Sequence, residues 1–391
     1  MSDHLVILDA LPSAADFYAR YWNRRPFLVR DAIDADLMAR LIAPEELAAL
    51  SMEETARARL VSQADWSCRF GPFAEDDFSA DKDDVPWSLL VQNVDQFHPE
   101  TANLLRVFGF APRWLMDDIM VSFSNAGGGI GGHVDNYHVF LVQGQGIRRW
   151  TVGREPAADE IYINGLDLKI LKDPVEGDTV EVGRGDVLYV PPRFAHEGTT
   201  LEDALTFSIG FLGPQLSDML EDFGLHLSDT GIKDDRYTGA GFDADSAGFV
   251  LSAGAVGALR DRLRHAVESP AFDAWLAAFF TASTSVDAGH TADREERLSP
   301  TEFATALQAA NGVIKPAFVK FVLVPSSGPS SEGAYTLGVN QRIFALDRDG
   351  LAVVLKLMAE EPVPSDGLGD QFDLLSALYN CHALNFIGAD D

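Results

Sequence analysis

The run GGGIGGHVDNYHVFLVQGQGIRRWTVG, residues 127–153, constrains this chain more than any other stretch. A glycine cluster leads into His133 and Asp135, two positions apart. Side chains alternate along a strand, so residues two apart share a face. Gly144 and Gly146 predict a turn, with a second strand returning through Arg148. Further on, DVLYVPPRFAHEGTT delivers His196 behind a stiffening double proline. Two imidazoles and one carboxylate can cap one face of an ion and leave the other open. That is the 2-His-1-carboxylate arrangement of non-haem iron oxygenases. His133, Asp135 and His196 are the candidate metal ligands. An HxD pair also arises by chance on half-buried strands. The glycines before it, the arginine after it and the proline setting of His196 favour the metal.

Arg148 is the natural anchor for the far carboxylate of a bound oxo-acid, because a guanidinium grips a carboxylate with two hydrogen bonds. Ordinary ion pairing is the bland alternative. Arg149 and Glu197 should point the other way, and Ser122 and Thr206 are candidate hydrogen-bond partners for the cosubstrate. His138 is out of register with His133, which predicts packing and not ligation.

From Trp114 to Gly213 the chain reads as short strands with turns: DDIMVSFS, HVDNYHVFLVQG, RRWTVG, LDLKIL, DTVEVGRGDVLYVPP, HEGTT and ALTFSIGFLG. This spacing suggests an antiparallel barrel or sandwich with a ligand in its mouth. Ahead of it, Ser13 caps a predicted helix, His98 sits at a turn or cap, and ARLVSQ with WSCRFGPF forms a hairpin. The 391 residues carry 60 acidic and 30 basic side chains. A formal charge of −30 argues against direct nucleic-acid binding and favours a basic partner, although a solubilising surface gives the same balance. Two cysteines, Cys68 and Cys381, exclude a disulfide framework. No secretory signal and no bilayer-length apolar run is evident, so the expectation is a cytoplasmic protein with no membrane contact.

The runs WSLLVQ, DDIMVSFSNAGGGIGGHVDNYHVFLVQGQGIRRW and GDVLYVPPRFAHEG resemble the JmjC-type ribosomal oxygenases. They are most similar to the bacterial arginine hydroxylases that act on a large-subunit ribosomal protein. The resemblance covers about residues 14–213 and extends weakly to the C-terminus. It implies an α+β chain: a double-stranded β-helix (a jelly-roll, cupin-like JmjC barrel) with flanking helices, a helical dimerisation region and a C-terminal winged-helix-like domain. It implies Fe(II) on His133, Asp135 and His196, 2-oxoglutarate on Arg148, and O2, with succinate and carbon dioxide as products. Hydroxylation of an arginine at Cβ follows from the same likeness. Asp118, Met120, Tyr137 and Ser208 match the arginine pocket, with Asp117 competing for Asp118 if the register slips by one. Where this chain has His138, a compared member of the family carries an acid.

After Gly213, two amphipathic stripes, Leu259, Leu263 and Val267, then Phe272, Trp275, Leu276 and Phe279, can close a bundle or a homodimer; the resemblance favours the homodimer. His226 and His265 read as ordinary helix or surface residues. VDAGHTADREERLSP, with His290, reads as a linker. Ser299 and Glu302 then form a capping box, and helix, strand pair and helices follow. The expected domains are 1–213 catalytic, 214–290 helical and 291–391 C-terminal. Two other classes fit the same residues: a cupin-like dioxygenase of a small molecule, and a non-catalytic barrel holding a basic protein.

Overall fold

Residues Val139–Val142 are buried one after another. Unbroken burial requires packing on both faces of a strand. Phe140 and Val142 enter a large aromatic core with Phe17, Phe27, Phe108, Tyr189 and Phe207. Val139 and Leu141 enter a second cluster with Trp150, Val152, Leu188 and Phe194. The computed structural model describes residues 5–78, 85–229, 236–239, 249–282, 293–326, 334–359 and 361–388.

The chain divides into two compact units, Met1–Gly213 and Pro214–Asp391. The first holds strands β1 (Val6–Leu8), β2 (Phe27–Val29), β3 (Ala58–Ser62), β4 (Cys68–Phe70), β5 (Trp87–Val91), β6 (Met116–Ser124), β7 (His138–Pro156), β8 (Gly177–Val182), β9 (Val187–Val190) and β10 (Phe194–Phe211). Helices α1 (Ala14–Arg20), α2 (Ala35–Arg40), α3 (Pro44–Leu50), α4 (Val94–Phe97), α5 (Pro99–Ala102) and α6 (Leu104–Val107) accompany them. The strands run β1-β2-β9-β7-β10-β6-β5-β3-β4, with β8 also on β7. Only β1 and β2 pair in parallel among these strands. Ser13 caps α1 by accepting from the Asp16 amide, and His98 caps α5 at the Thr101 amide. Among the described residues no helix is long and apolar enough to cross a membrane.

The strands differ from expectation at the glycines. Gly144 and Gly146 do not reverse the chain; β7 continues through them for 19 residues. Its partner β10 shifts register between Thr200 and Thr206 at the same place. Gly146 takes a positive φ of 67°, and a Cβ there would collide with the Asp203 carbonyl. A bulge in two long paired strands needs the same residue as a tight turn. HEGTT and ALTFSIGFLG therefore join into one strand, and LDLKIL keeps only an isolated bridge, Tyr162 to Leu171. His133 also lies outside a strand, in a single bridge opposite His196.

The second unit holds α7 (Leu216–Asp229), α8 (Ala253–Val267), α9 (Pro270–Phe279), α10 (Pro300–Ala309), β11 (Gly312–Ile314), β12 (Val322–Pro325), β13 (Tyr335–Val339), β14 (Arg342–Leu346), α11 (Arg348–Met358), β15 (Val363–Pro364), α12 (Phe372–Asn380) and β16 (Asn385–Ile387). The expected division at 290 is not a boundary between units. Trp275 and Phe272 of α9 pack on Phe223 of α7, and α9 lies against the sheet β12-β13-β14. Gly338 of β13 lets the Ala277 backbone approach closely. Of the expected linker, residues 286–292, with His290, lie outside the described residues, whereas Arg294 within it donates to the Tyr379 and Leu384 carbonyls and ties that part to the domain. In place of one strand pair there are two three-stranded sheets, β15-β11-β16 and β12-β13-β14. Strands of two or three residues leave no period to read. The Ser299–Glu302 capping box forms at the start of α10.

Candidate metal and oxo-acid site

His133, Asp135 and His196 meet, each offering one ligand atom, with these atoms within 4.8 Å of one another. The Asp135 carboxylate stands 3.9 Å from His133 Nε2 and 3.5 Å from His196 Nε2. Two donors each about 2.1 Å from one ion lie at most about 4.2 Å apart, so both separations suit a shared metal. Backbone sets the orientation. The amides and carbonyls of His133 and His196 exchange two hydrogen bonds of 3.0 Å. His133 Nδ1 donates to the Gly131 carbonyl at 2.9 Å, and His196 Nδ1 to the Phe194 carbonyl at 3.0 Å. With each Nδ1 carrying the proton, each Nε2 presents a lone pair to the centre. Burial, then the neighbouring His133, pushes His196 down to about 4, so it stays neutral as a ligand must. Arg193, at a positive φ of 68°, donates its amide to the Asp135 carbonyl and ties the two ligand segments together.

The triad opens on a cavity of about 100 Å³. Arg148 reaches it from beyond the bulge and is 3% exposed. It donates to Thr206 Oγ1 at 3.2 Å, and Thr206 in turn donates to Gln143 Oε1 at 3.1 Å. Its guanidinium lies 4.8 Å over the Trp150 ring. Arg148 Nε, Trp150 Nε1 and Thr200 Oγ1 are buried with no hydrogen-bond partner among the described residues. No carboxylate pairs with Arg148 among the described residues, and burial holds its pKa down to about 10. A buried cation with orphaned donors calls for an anion. Three ligands on one face of a metal position and this cation across the cavity fit a chelating oxo-acid.

The other expected residues divide by location. Ser122, Met120, Tyr137 and Ser208 line the cavity; Thr206 does not, and instead accepts a hydrogen bond from Arg148. Asp118 lies one step past Met120 on the same face of β6, near Tyr137: a Cβ added at Gly210 would sit 3.8 Å from its Oδ1 and 3.9 Å from the Tyr137 ring. Alternation turns Asp117 to the opposite face. Asp118 accepts from the Asn93 amide at 3.1 Å. Tyr137 hydrogen-bonds Asp135, and burial drives its hydroxyl far up in pKa. His138 faces the aromatic core, stacked 3.4 Å from Trp22 and bonded to the Tyr189 hydroxyl at 2.7 Å. Burial pushes it down to about 3, so it adds neither charge nor a ligand to the cavity. Arg149 pairs with Glu181 at the surface.

Sequence reasoning missed Arg59, Ser88, Ser124 and Trp150, which also line the cavity. Ser88 and Ser124 are hydrogen-bonded to each other at 2.6 Å. Trp150 was legible, being two residues from Arg148 on one face; Arg59 stands on a strand with no motif of its own.

A JmjC domain family model matches residues 103–219, which contain the triad and Arg148. This stretch is similar to a JmjC domain. The Ribosomal protein uL16 3-hydroxylase of Escherichia coli (strain K12) is 40% identical over 211 residues, 53% of this chain and 55% of that protein. A Probable ribosomal oxygenase of Haemophilus influenzae is 40% identical over 209 residues, 52% of this chain and 51% of its own. The chain thus spans about half the length of the curated relatives it matches. Crystal structures of the E. coli ribosomal oxygenase YcfD match more widely, one with a TM-score of 0.78 and 29% identity over 96% of this chain and 98% of that one. Another, equally similar at 0.78, is described as a complex of YcfD with cobalt and 2-oxoglutarate.

Proposed function

We propose that this protein is an Fe(II)- and 2-oxoglutarate-dependent hydroxylase of a ribosomal protein, acting on an arginine of the large subunit at Cβ. The single observation that carries the reading is the pairing of an open His–Asp–His triad with a buried arginine that has no counter-ion among the described residues. When bound, ferrous iron with 2-oxoglutarate and O2 supplies an oxidant able to hydroxylate an unactivated carbon, with succinate and carbon dioxide as products.

The protein's own part is binding and orientation. His133, Asp135 and His196 hold the metal from one side and leave the cavity side for cosubstrates. Arg148, braced by Thr206 and Gln143, takes the distal carboxylate, with Ser122 beside it. Asp118 takes the guanidinium of the target arginine by charge-assisted hydrogen bonds. Tyr137, Met120 and Ser208 pack its stem, so that one carbon faces the metal position. The apolar walls Leu90, Ile130, Val139 and Leu141 keep water from the reacting centre. An acidic chain suits a basic ribosomal protein as partner and gives no reason to bind nucleic acid directly. Leu263 and Leu220, exposed on α8 and α7, support self-association as a homodimer; a monomer mass by sedimentation at micromolar concentration refutes that.

The test is incubation with ribosomal proteins, iron and 2-oxoglutarate, followed by mass mapping. One added oxygen on an arginine of a large-subunit protein is the expected result. Succinate formation with small molecules alone favours a small-molecule dioxygenase. Tight ribosomal-protein binding without turnover favours a non-catalytic barrel.

A further inference from the structure

Arg59 brings a second guanidinium to the cavity. It sits on β3 opposite Leu90 of β5, which pairs with Ser122 of β6, which pairs with Thr206 of β10. Thr206 holds Arg148, so the two arginines close opposite ends of one cross-strand row. Arg59 Nε is buried with no hydrogen-bond partner among the described residues. Its Nη2 faces the Met120 thioether at 3.9 Å, a weak acceptor. In a chain with 60 acidic side chains, no carboxylate among the described residues pairs with it. Arg59, Arg148 and Asp135 are the charged groups of the lining, and Asp135 is committed to the triad.

A cavity with a cation at each end matches a ligand with a carboxylate at each end. A thioether leaves a guanidinium's desolvation unrepaid, whereas a carboxylate oxygen repays it. We propose that Arg59 is a second cosubstrate-binding residue, donating to the carboxylate beside the keto group while Arg148 holds the distal one. Chelation of a metal uses one oxygen of that carboxylate and leaves the other as an acceptor. The inference rests on the 2-oxoglutarate reading above and adds a recognition element at the opposite end of the molecule.

The test is calorimetric binding to the full chain loaded with cobalt(II), with no polypeptide substrate present. The probes are 2-oxoglutarate and 2-oxopentanoate, which keeps the keto-acid end and lacks the distal carboxylate. Arg59→Gln is expected to weaken both acids by a similar factor, roughly tenfold for one charge-assisted contact. Arg148→Gln is expected to weaken 2-oxoglutarate alone. Arg59→Lys keeps the charge without the fork; it should weaken both acids by about threefold, and it carries the same comparison if the glutamine variant does not fold. Unchanged affinity for both acids in the Arg59 variants overturns the proposal, as does a loss for 2-oxoglutarate with none for 2-oxopentanoate, which would place Arg59 at the distal end beside Arg148. If Arg148→Gln also leaves 2-oxoglutarate binding intact, the cosubstrate reading itself fails, and the role of Arg59 with it.

Discussion

Gly198 shows how tightly the Arg148 site is built. A Cβ there would sit 2.8 Å from Arg148 Nε and 2.8 Å from the Trp150 ring. Both side chains are buried, so neither retreats cheaply. Gly198→Ala should tilt the guanidinium off Thr206 and raise the KM for 2-oxoglutarate by roughly tenfold, the worth of one charged hydrogen bond. Steady-state succinate assays decide it, and an unchanged KM means that Arg148 does not meet the cosubstrate. Asp118 yields a prediction in pH. Burial, then Asp95 and Asp117, push its carboxyl from 3.8 up to about 7, against the Asn93 amide and Arg57, which pull it down. The raised folded pKa means that ionising Asp118 costs stability. That cost is absent below about 3.8, grows up to about 7 and is constant above. A cationic side chain binds only the ionised form, so its affinity should fall up to about tenfold per pH unit below 7. Asp118→Asn should bind weakly with a flat profile in this range; a native profile that is flat there removes Asp118 from substrate recognition.

At the scale of elements, the bulge shared by β7 and β10 lets both halves of each strand contribute to one cavity. Gly146→Ala would force a side chain to a positive φ and into the Asp203 carbonyl. A loss of roughly 2–4 kcal/mol is expected, from the strained backbone and the clash together. Denaturant midpoints measure it, and a change under about 0.5 kcal/mol would mean that the bulge relaxes freely. This is also where reading the sequence went astray. The triad was legible because His133 and Asp135 are neighbours in the chain and His196 follows a rigid proline pair. Gly144 and Gly146 were ambiguous: a hairpin turn and a bulge both need a residue free of Cβ, and only the pairing partner decides between them. Arg59 was invisible for a related reason. It reaches the cavity through β5, a strand paired with β3, and nothing in its local run, ARLVS, marks a cation without a partner. His138 illustrates the reverse. Its odd register forecast a side chain facing away from His133, and it is stacked on Trp22 in the aromatic core.

At the scale of the whole molecule, the proposed function makes the formal charge of −30 bear on the encounter with substrate more than on the chemistry. Exposed charges act over about 8 Å at physiological ionic strength and less in stronger salt. On the proposed function, a basic ribosomal protein approaching this acidic surface would be steered by many such charges, whereas Arg148, which is buried, would meet the cosubstrate inside the cavity. Two Michaelis constants of one enzyme should therefore answer salt differently. Raising sodium chloride from about 0.05 to about 0.5 M should lower kcat/KM for an intact ribosomal protein by roughly tenfold through screening of the approach, with kcat nearly constant. The KM for 2-oxoglutarate should move by less than about twofold over the same range, because buried pairs are poorly screened. A short peptide carrying only the target arginine should fall between the two, since it keeps the Asp118 contact and loses the surrounding positive field. Equal salt responses for protein and peptide would mean that the acidic surface serves solubility and that recognition is confined to the cavity.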